Sequence, residues 1–339
     1  MINAQYKLTK PFTIETFYSN INLEEKNHIV VRPTALSICR ADLRYYQGLR
    51  SNSVLKERLP LSLIHEAVGT VVYDPLGQYS IHSSVVCLPN IAGSEEKYHE
   101  NYRLDSLFRS SKADGFMQEM ISLPLENVVP YQQIDTNVAA ITEFISVGVH
   151  AVDSFLKTAQ TQKNKIAVWG DGGLSYIILS LLREYLPNAE LTVIGISPKK
   201  LQYFNFVDNV LTADQVKCKP QYDHVFECVG GQSSAKAIDQ MIDTILPQGQ
   251  IVLLGVSEEP VPINTRMVLE KGLTLVGRSR STRADFEQAV ALLMESKQFY
   301  SRIALLISEV VSIHQVNDIH TAFQMATSVD FKVVLDWKI

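Results

Sequence analysis

The sequence is poor in cysteine and lacks any arrangement of cysteines that would build a disulfide framework. Its four cysteines, among 339 residues, are scattered and form no C-x-x-C pair. This usage fits a reducing compartment better than an oxidising one. By default each is expected to be a small buried apolar residue, with a separate role considered for the first: Cys39, Cys87, Cys218 and Cys228.

Other absences narrow the class of protein further. The N-terminus lacks the apolar core of a signal peptide, and no apolar run is long enough to span a bilayer. The chain has no polybasic tract and a formal net charge of -5, so nothing favours nucleic-acid binding. Internal repeats and low-complexity segments are also missing. We therefore expect a cytoplasmic globular protein with neither a membrane nor a nucleic-acid partner.

The hydrophobic pattern divides the chain into a β-rich part and an alternating part. Its length and a hydrophobic content of 46% predict about two folded domains. Short β-branched runs come first, and helical periodicity then begins near Asp135 or Thr136 in "TNVAAITEFISVGVHAVDSFLKTAQ". Beyond it strands alternate with helices, which predicts a doubly wound parallel sheet. We predict a Rossmann dinucleotide-binding domain over 149–283, and a second domain over 1–148 that 284–339 completes.

A glycine-rich turn lies between the first strand and helix of the alternating part. In "VWGDGGLSYIILSLL", Gly170, Gly172 and Ser175 have the spacing of the dinucleotide fingerprint. The absence of a side chain at Gly172 lets a pyrophosphate approach the backbone, and the helix opening at Gly173 and Leu174 supplies amide donors. The alternative is a plain tight turn. A P-loop is excluded because no Lys-Ser/Thr pair follows.

The end of the next strand indicates which nicotinamide cofactor is bound. NAD sites usually have an acid there for the ribose hydroxyls, but Gly195 occupies that position in "TVIGISPKKLQYF". Ser197, Lys199 and Lys200 follow, and they would attract a 2′-phosphate. We therefore predict NADP(H). The alternative is that both lysines form a solvated loop face while the ribose is held elsewhere.

Four residues of metal-ligating type lie in or beside apolar segments. Cys39 occurs in "SICRADLRYY", His65 and Glu66 in "LPLSLIHEAVGTVV", and Glu143 in "AAITEFISVGVHA". The pair is not part of H-E-x-x-H, because position 69 is glycine. A lone cysteine or histidine is more often structural. Two carboxylates in apolar surroundings, however, suggest a shared buried cation, and these ligand types suit a catalytic zinc.

At these segments the chain resembles the medium-chain, zinc-dependent alcohol and polyol dehydrogenases. "SICRADLRYYQG", "PLSLIHEAVGTVV" and "EFISVGVHA" are similar to the family segments C-G-x-D-x-H-x-Y, P-x-x-x-G-H-E-x-x-G and E-P-x-S-V-x-x-H-A, in family order. The resemblance implies an α/β protein with a Rossmann domain and a β-rich GroES-like catalytic domain. It also implies that Cys39 and His65 bind zinc, with Glu66 and Glu143 sharing the remaining position or ordering its water.

The sequence departs from the family pattern at three places. Ile64 stands where the family has glycine before His-Glu, so a different local backbone is expected. Ala41 stands where a Ser or Thr usually relays the proton, which leaves water ordered by Glu66 or Glu143 as the proton source. Residues 88–115 contain no cysteine, so we expect one catalytic zinc and no structural zinc.

A narrower resemblance concerns the substrate. Segments including "RPTALSICRADLRYY" and "NTRMVLEKGLTLVG" are similar to bacterial ribulose-5-phosphate reductases, which make ribitol 5-phosphate for teichoic acids or capsules. This implies NADPH-dependent reduction of D-ribulose 5-phosphate to D-ribitol 5-phosphate. A sugar phosphate needs a cationic pocket, for which the tentative ligands are Arg40, Arg44 and Arg109. Taken singly, each is more often a solvated surface charge.

Two other functions and one assembly state follow from the sequence. The chain could be a zinc- and NADP-dependent dehydrogenase of another polyol or keto-sugar. It could also be an inactive nucleotide-binding relative, which Ala41 alone supports and the retained ligand-type residues oppose. The apolar segment "LEKGLTLVGRS" is expected at an edge of the nucleotide-binding sheet, and the family resemblance points the same way, so we predict a two-fold homodimer.

Overall fold

The computed structural model divides the chain into two compact units. It describes residues 1–94, 97–160, 162–217, 219 and 221–339, so the expectation for Cys218 lies outside the described residues. One unit comprises Met1–Ser146 with Arg280–Ile339, and the other comprises Val147–Ser279. The functions assigned above to the two parts of the chain stay predictions.

The helices and strands follow one another in the order that the hydrophobic pattern indicates. The strands are β1 (Ile2–Lys10), β2 (Thr13–Asn20), β3 (His28–Ser37), β4 (Leu61–Ser62), β5 (Glu66–Tyr73), β6 (Ser84–Cys87), β7 (Asn90–Ile91), β8 (Leu107–Phe108), β9 (Ile121–Pro124), β10 (Val128–Pro130), β11 (Lys165–Trp169), β12 (Glu190–Gly195), β13 (Asn209–Thr212), β14 (Tyr222–Glu227), β15 (Ile245–Leu253), β16 (Thr274–Gly277), β17 (Ile307–Ile313) and β18 (Lys332–Trp337). The α-helices are α1 (Arg40–Tyr46), α2 (Asn52–Arg58), α3 (Thr136–Ala139), α4 (Thr142–Thr158), α5 (Gly173–Tyr185), α6 (Pro198–Leu201), α7 (Ser233–Thr244), α8 (Thr265–Lys271), α9 (Arg283–Glu295), α10 (Lys297–Ala304) and α11 (Val316–Met325).

The discontinuous unit is built on a seven-stranded sheet. Its order is β10-β6-β5-β3-β18-β17, with β9 paired to β3, and a three-stranded sheet has the order β2-β1-β4. These ladders are antiparallel except for β17 and β18, which are parallel. Leu8, Leu36, Val71 and Leu335 are fully buried in one core that both sheets share. The predicted β-rich GroES-like domain is confirmed.

The strand register of this sheet brings distant parts of the sequence together. Ser37, the last residue of β3, faces Glu66 on β5 and Val334 on β18. Cys39 lies two residues after the end of β3, and Lys332 begins β18. The ends of three central strands therefore form one small region, where side chains far apart in sequence meet.

The second unit contains a six-stranded parallel sheet. Its order is β13-β12-β11-β14-β15-β16, which is the doubly wound order with a topological switch beside its first strand. Strands such as β11 are almost completely buried, as parallel strands covered by helices on both faces must be. The predicted Rossmann sheet is confirmed.

The helical region that links the two kinds of sequence pattern is interrupted. Asp135 caps α3 by accepting the backbone N–H of Asn137 and Val138, but α3 ends at Ala139 and a new helix begins at Thr142. The continuous helical periodicity of this stretch therefore corresponds to two helices and not to one. The break places Glu143 in the first turn of α4.

No helix in the described ranges is both long enough and apolar enough to cross a bilayer.

Candidate metal centre and nucleotide turn

The four predicted metal ligands converge in the discontinuous unit. The ligand atoms of His65, Glu66 and Glu143 lie within 4.8 Å of one another, as do those of Cys39, Asp42 and His65. The imidazole and both glutamates are buried, with 7%, 0% and 6% of their surface exposed. Thiol, imidazole and carboxylate groups at this separation form a donor set that suits zinc.

Burial and neighbouring charges together favour the protonated forms of His65 and Glu143. Burial lowers the pKa of His65, but Asp42 and Cys39 outweigh it and raise that pKa well above 6.5. Burial raises the pKa of the Glu143 carboxyl to about 7, where His65 opposes and Glu66 adds to the shift. Nε2 of His65 lies 3.9 Å from Oε2 of Glu143. A divalent cation binding here would have to displace these protons.

Glu66 is held by a cation that the sequence analysis missed. The buried Lys332 Nζ donates to Glu66 Oε1 and lies 4.4 Å from the ring centroid of Phe144. Oε2 of Glu66 is buried and has no hydrogen-bond partner among the described residues. A buried carboxylate oxygen without a donor is costly, so it fits a cation in this place.

Asp42 is a second buried group that sequence reasoning missed. It is fully buried and accepts the backbone N–H of Cys39 and of Ile64, each at 3.0 Å, and the Ser110 hydroxyl. Its Oδ1 lies 3.7 Å from Nδ1 of His65. Burial raises the pKa of Asp42, but His65 and these hydrogen bonds outweigh it and lower the value. The signal in the sequence was an acid three residues after the proposed zinc cysteine.

The backbone before His65 keeps the conformation that a glycine would favour. Ile64 has a φ of 68°, in the left-handed region where a β-branched residue is strained. Its N–H is held by the Asp42 carboxylate. The residue that replaces the family's glycine therefore has a backbone conformation that glycine adopts without strain.

The glycine turn opens α5 as predicted. Gly170 has a φ of 128°, and a Cβ built there would lie 2.6 Å from Oγ of Ser175. A Cβ on Gly172 would meet nothing within 4 Å, so the space beside the start of α5 at Gly173 and Leu174 is open. An open backbone at the N-terminus of a helix fits a dinucleotide phosphate.

The end of β12 presents the predicted polar cluster and one further acid. Ser197 caps α6 by accepting the backbone N–H of Lys200, and Lys199 is exposed in the same helix. Asp171, inside the glycine turn, accepts the N–H of Ile196 and Ser197. The sequence analysis treated position 171 as variable and gave it no role.

The three tentative phosphate ligands differ in their surroundings. Arg40 is exposed next to Cys39, and Arg44 is half-buried in the same helix. The terminal nitrogens of Arg109 donate to the carbonyls of Asp114 and Ser122 at 3.1 and 3.3 Å. Nε of Arg109 is buried and has no hydrogen-bond partner among the described residues, so Arg109 stays a predicted phosphate ligand.

Arg280 is a cation near the metal-ligand cluster that the sequence analysis missed. Its guanidinium carbon lies 5.8 Å from the ring centroid of Phe108, which lies 5.3 Å from that of His65. Nη1 donates to the carbonyl of Asn101. The backbone φ of Arg280 is 59°, which lies in the left-handed region. A residue other than glycine keeps this strained conformation where the surrounding structure imposes it.

Two family models match separate parts of the chain. One, described as "Alcohol dehydrogenase GroES-like domain", matches residues 25–133. The other, described as "Zinc-binding dehydrogenase", matches residues 188–295.

Curated proteins and solved structures match the whole chain. The sequence is 43% identical to the ribulose-5-phosphate reductase of Streptococcus pneumoniae, over 100% of this chain and 98% of that protein. It is 44% identical to ribulose-5-phosphate reductase 2 of Staphylococcus aureus, over 100% of both. A crystal structure of S. aureus TarJ in complex with NADPH has a TM-score of 0.89 at 40% identity, covering 100% of both chains.

Proposed function

Because this chain belongs to the zinc-binding alcohol dehydrogenase family, as an NADP-dependent polyol dehydrogenase/reductase, we propose that it reduces D-ribulose 5-phosphate to D-ribitol 5-phosphate. The observation that carries the proposal is the convergence of Cys39, His65, Glu66 and Glu143 at one buried place. The full-length similarity to ribulose-5-phosphate reductases supports the choice of substrate.

A single catalytic zinc would be held by Cys39 and His65, with Glu143 or Glu66 as the third protein ligand. When bound, it supplies Lewis acidity toward a carbonyl oxygen. Asp42 lies on the Nδ1 side of His65, which leaves Nε2 for the cation and fixes the ring. Lys332 restrains one oxygen of Glu66 and leaves the other open.

NADP(H) would bind at the glycine turn in the nucleotide-binding unit. Gly170, Gly172, Gly173 and Leu174 would contact the pyrophosphate, and Ser197, Lys199 and Lys200 would contact the 2′-phosphate. The open space at Gly172 supports this site. NADPH supplies the hydride, and the protein supplies position and charge.

The new hydroxyl of the product also needs a proton. Ala41 has no proton to give, so we propose that the proton arrives through water ordered by Glu66 or Glu143. Oε2 of Glu66 is a buried acceptor to which none of the described residues donates, and therefore it is suited to orient such a water.

The substrate phosphate would meet Arg40, Arg44 or Arg109, with Arg280 as a further candidate. Arg40 and Arg44 lie in the helix that begins directly after Cys39. The Phe108 ring lies close to both the Arg280 guanidinium and the His65 ring, at 5.8 and 5.3 Å. In a ketose phosphate the carbonyl and the phosphate lie toward opposite ends of a short chain. If the carbonyl is near the metal ligands, the cation that binds the phosphate should therefore lie some distance from them.

The decisive experiment compares NADPH oxidation with ribulose 5-phosphate and with free ribulose. The phosphorylated ketose should have the higher kcat/KM, since a charged phosphate contact contributes about 1.5–3 kcal/mol, or roughly tenfold to a hundredfold. If another unphosphorylated ketose is reduced equally well, the chain is a reductase of a different keto-sugar. If no ketose is reduced, it is a nucleotide-binding relative without this chemistry.

We further propose a cytoplasmic homodimer whose product enters ribitol teichoic acid or capsule synthesis. The dimer rests on β16, an edge strand of the six-stranded sheet, preceded by Leu269, which is 81% exposed. The destination of the product rests on the resemblance to ribitol-phosphate-forming enzymes.

A further inference from the structure

The glycine turn carries an acidic residue that the proposed function does not use. Oδ2 of Asp171 accepts the backbone N–H of Ile196 at 2.8 Å and of Ser197 at 2.7 Å. Both residues directly follow β12. A carboxylate from the turn after β11 therefore caps the end of the neighbouring parallel strand.

Asp171 also explains why position 195 is glycine. A Cβ built on Gly195 would lie 2.7 Å from Cβ of Asp171 and 2.8 Å from its Oδ2, closer than non-bonded atoms allow. The side chain of Asp171 thus fills the volume into which any residue at 195 would project. In NAD sites the acid that holds the ribose projects from this strand end. Here a carboxylate reaches the same place from the turn instead.

We propose that Asp171 is a specificity-determining residue that contacts the adenosine ribose of the cofactor through Oδ1. Both backbone hydrogen bonds fall on Oδ2, and the described residues give Oδ1 no hydrogen bond. The residue is also partly exposed. This inference rests on the dinucleotide site of the proposed function, but not on its substrate or its metal.

The charge of Asp171 acts differently on the two nicotinamide cofactors. The 2′-hydroxyl of NADH can donate a hydrogen bond to a carboxylate. The 2′-phosphate of NADPH is an anion, which a nearby carboxylate repels while Lys199 and Lys200 attract it. Asp171 and the lysines therefore oppose each other, and the chain retains affinity for NADH.

Asp171→Asn tests the charge while retaining the shape. The amide oxygen still accepts both backbone N–H groups, but the negative charge is gone. Dissociation constants for NADPH and NADH are measured by quenching of tryptophan fluorescence, in the absence of any ketose. NADPH should bind more tightly and NADH more weakly, so that the ratio of the two constants changes by roughly tenfold. Lys199→Ala should move this ratio in the opposite direction.

A second variant and three further outcomes complete the test. Asp171→Ser is also neutral and must shift the ratio in the same direction as Asp171→Asn, whichever of the two variants folds better. An equal change in both constants would overturn the proposal, because it would make Asp171 a brace for the turn and nothing more. If the unmodified protein binds neither cofactor, the dinucleotide site fails and this inference fails with it. Failure to reduce ribulose 5-phosphate would leave the binding result intact.

Discussion

Lys332 and Glu66 form a buried pair whose two members are separated by 266 residues in sequence. Removing one partner of a buried pair leaves an uncompensated charge, which costs far more than the pair contributes. In chelator-treated protein, Lys332→Met should therefore lower the free energy of unfolding by about 3–5 kcal/mol in urea titrations. Lys332→Arg should recover much of the loss.

The matched control for this change is Lys338→Met. Lys338 pairs with Asp336 at 2.7 Å, but half of its side chain is exposed, and such pairs contribute about 0–1 kcal/mol. Similar losses for both variants would contradict the buried-pair interpretation.

The ligand cluster makes a second prediction at residue scale. Cys39→Ala and His65→Ala should each lose the bound zinc, which is expected at about one ion per chain, and should abolish turnover with nearly unchanged NADPH binding. Metal content by atomic emission and cofactor titration measure the two effects separately. Cys87→Ala is the control, because Cys87 is buried in the β-rich core. Full activity in a metal-free preparation would rule out the zinc mechanism.

The pKa shifts of His65 and Glu143 predict how pH affects the metal-free protein. Both folded-state pKa values lie above their ordinary values of 6.5 and 4.5, so the folded chain binds more protons than the unfolded chain. Stability is then present at lower pH and is lost as the pH rises through the folded-state pKa values. The melting temperature of chelated protein should fall between about pH 6 and about pH 8.

The same pH scan contains its own controls. Glu143→Gln cannot titrate, so its melting temperature should depend less on pH. Added zinc should reverse the trend, because metal binding strengthens as its ligands lose protons. A melting temperature of the chelated protein that rises over this range would contradict the predicted shifts.

Sequence reasoning identifies a residue when its chemical type differs from that of the residues next to it in the sequence. Cys39 and the His65–Glu66 pair stand out because polar ligand types interrupt apolar strands. Lys332 does not stand out: its role depends on β18 pairing with β3, and no local pattern encodes that register. Asp171 was missed because its partners lie on another strand.

At the scale of single elements, α6 concentrates the charges that are proposed to select the cofactor. Lys199→Ala combined with Lys200→Ala should raise the KM for NADPH at least roughly tenfold to a hundredfold, since the loss of a single charged phosphate contact already costs about 1.5–3 kcal/mol. The KM for NADH should change little. Lys236→Ala, an exposed lysine on α7 of the same unit, is the control. Equal losses for both cofactors would argue against a 2′-phosphate contact.

Element type was easier to predict than element ends. Apolar β-branched runs such as β11 and β12 were identified because a buried parallel strand needs them. The break between α3 and α4 was not, since apolar residues continue through Ala140 and Ile141 with no Pro or Gly to stop a helix. Instead, the hydroxyl of Thr142 donates a hydrogen bond to the carbonyl of Ala139 at this break. Tertiary packing, and not the helix propensity of these residues, sets the end of α3.

At the scale of the whole molecule, the free edge of the six-stranded sheet predicts assembly. Sedimentation at micromolar concentration should give a dimer of the 38.0 kDa chain. Leu269→Lys should weaken it, because a charge would replace an exposed apolar side chain in α8, the helix that precedes β16. Val210→Lys, on β13 at the opposite edge, should have no effect. A monomer at all concentrations would contradict the prediction.

The sequence indicated two kinds of architecture, and it indicated that both ends of the chain share one of them. What it could not supply was the position of β18 between β3 and β17, because strand order depends on packing choices that are spread over the whole chain. The proposed site depends on that order, since the ends of β3, β5 and β18 bring Cys39, Glu66 and Lys332 to one region, and α4 adds Glu143.

The central position of β18 has a consequence for how the protein is made. During synthesis β3 emerges long before its neighbour, and Lys332 is 294 residues from Ile38, whose carbonyl it contacts. Until β18 arrives, one edge of β3 is open to wrong partners, whereas Val147–Ser279 is continuous and can fold as it leaves the ribosome. The growing chain should therefore hold a folded Val147–Ser279 unit while the seven-stranded sheet is still incomplete, and the open edge of β3 should be covered only when β18 is released.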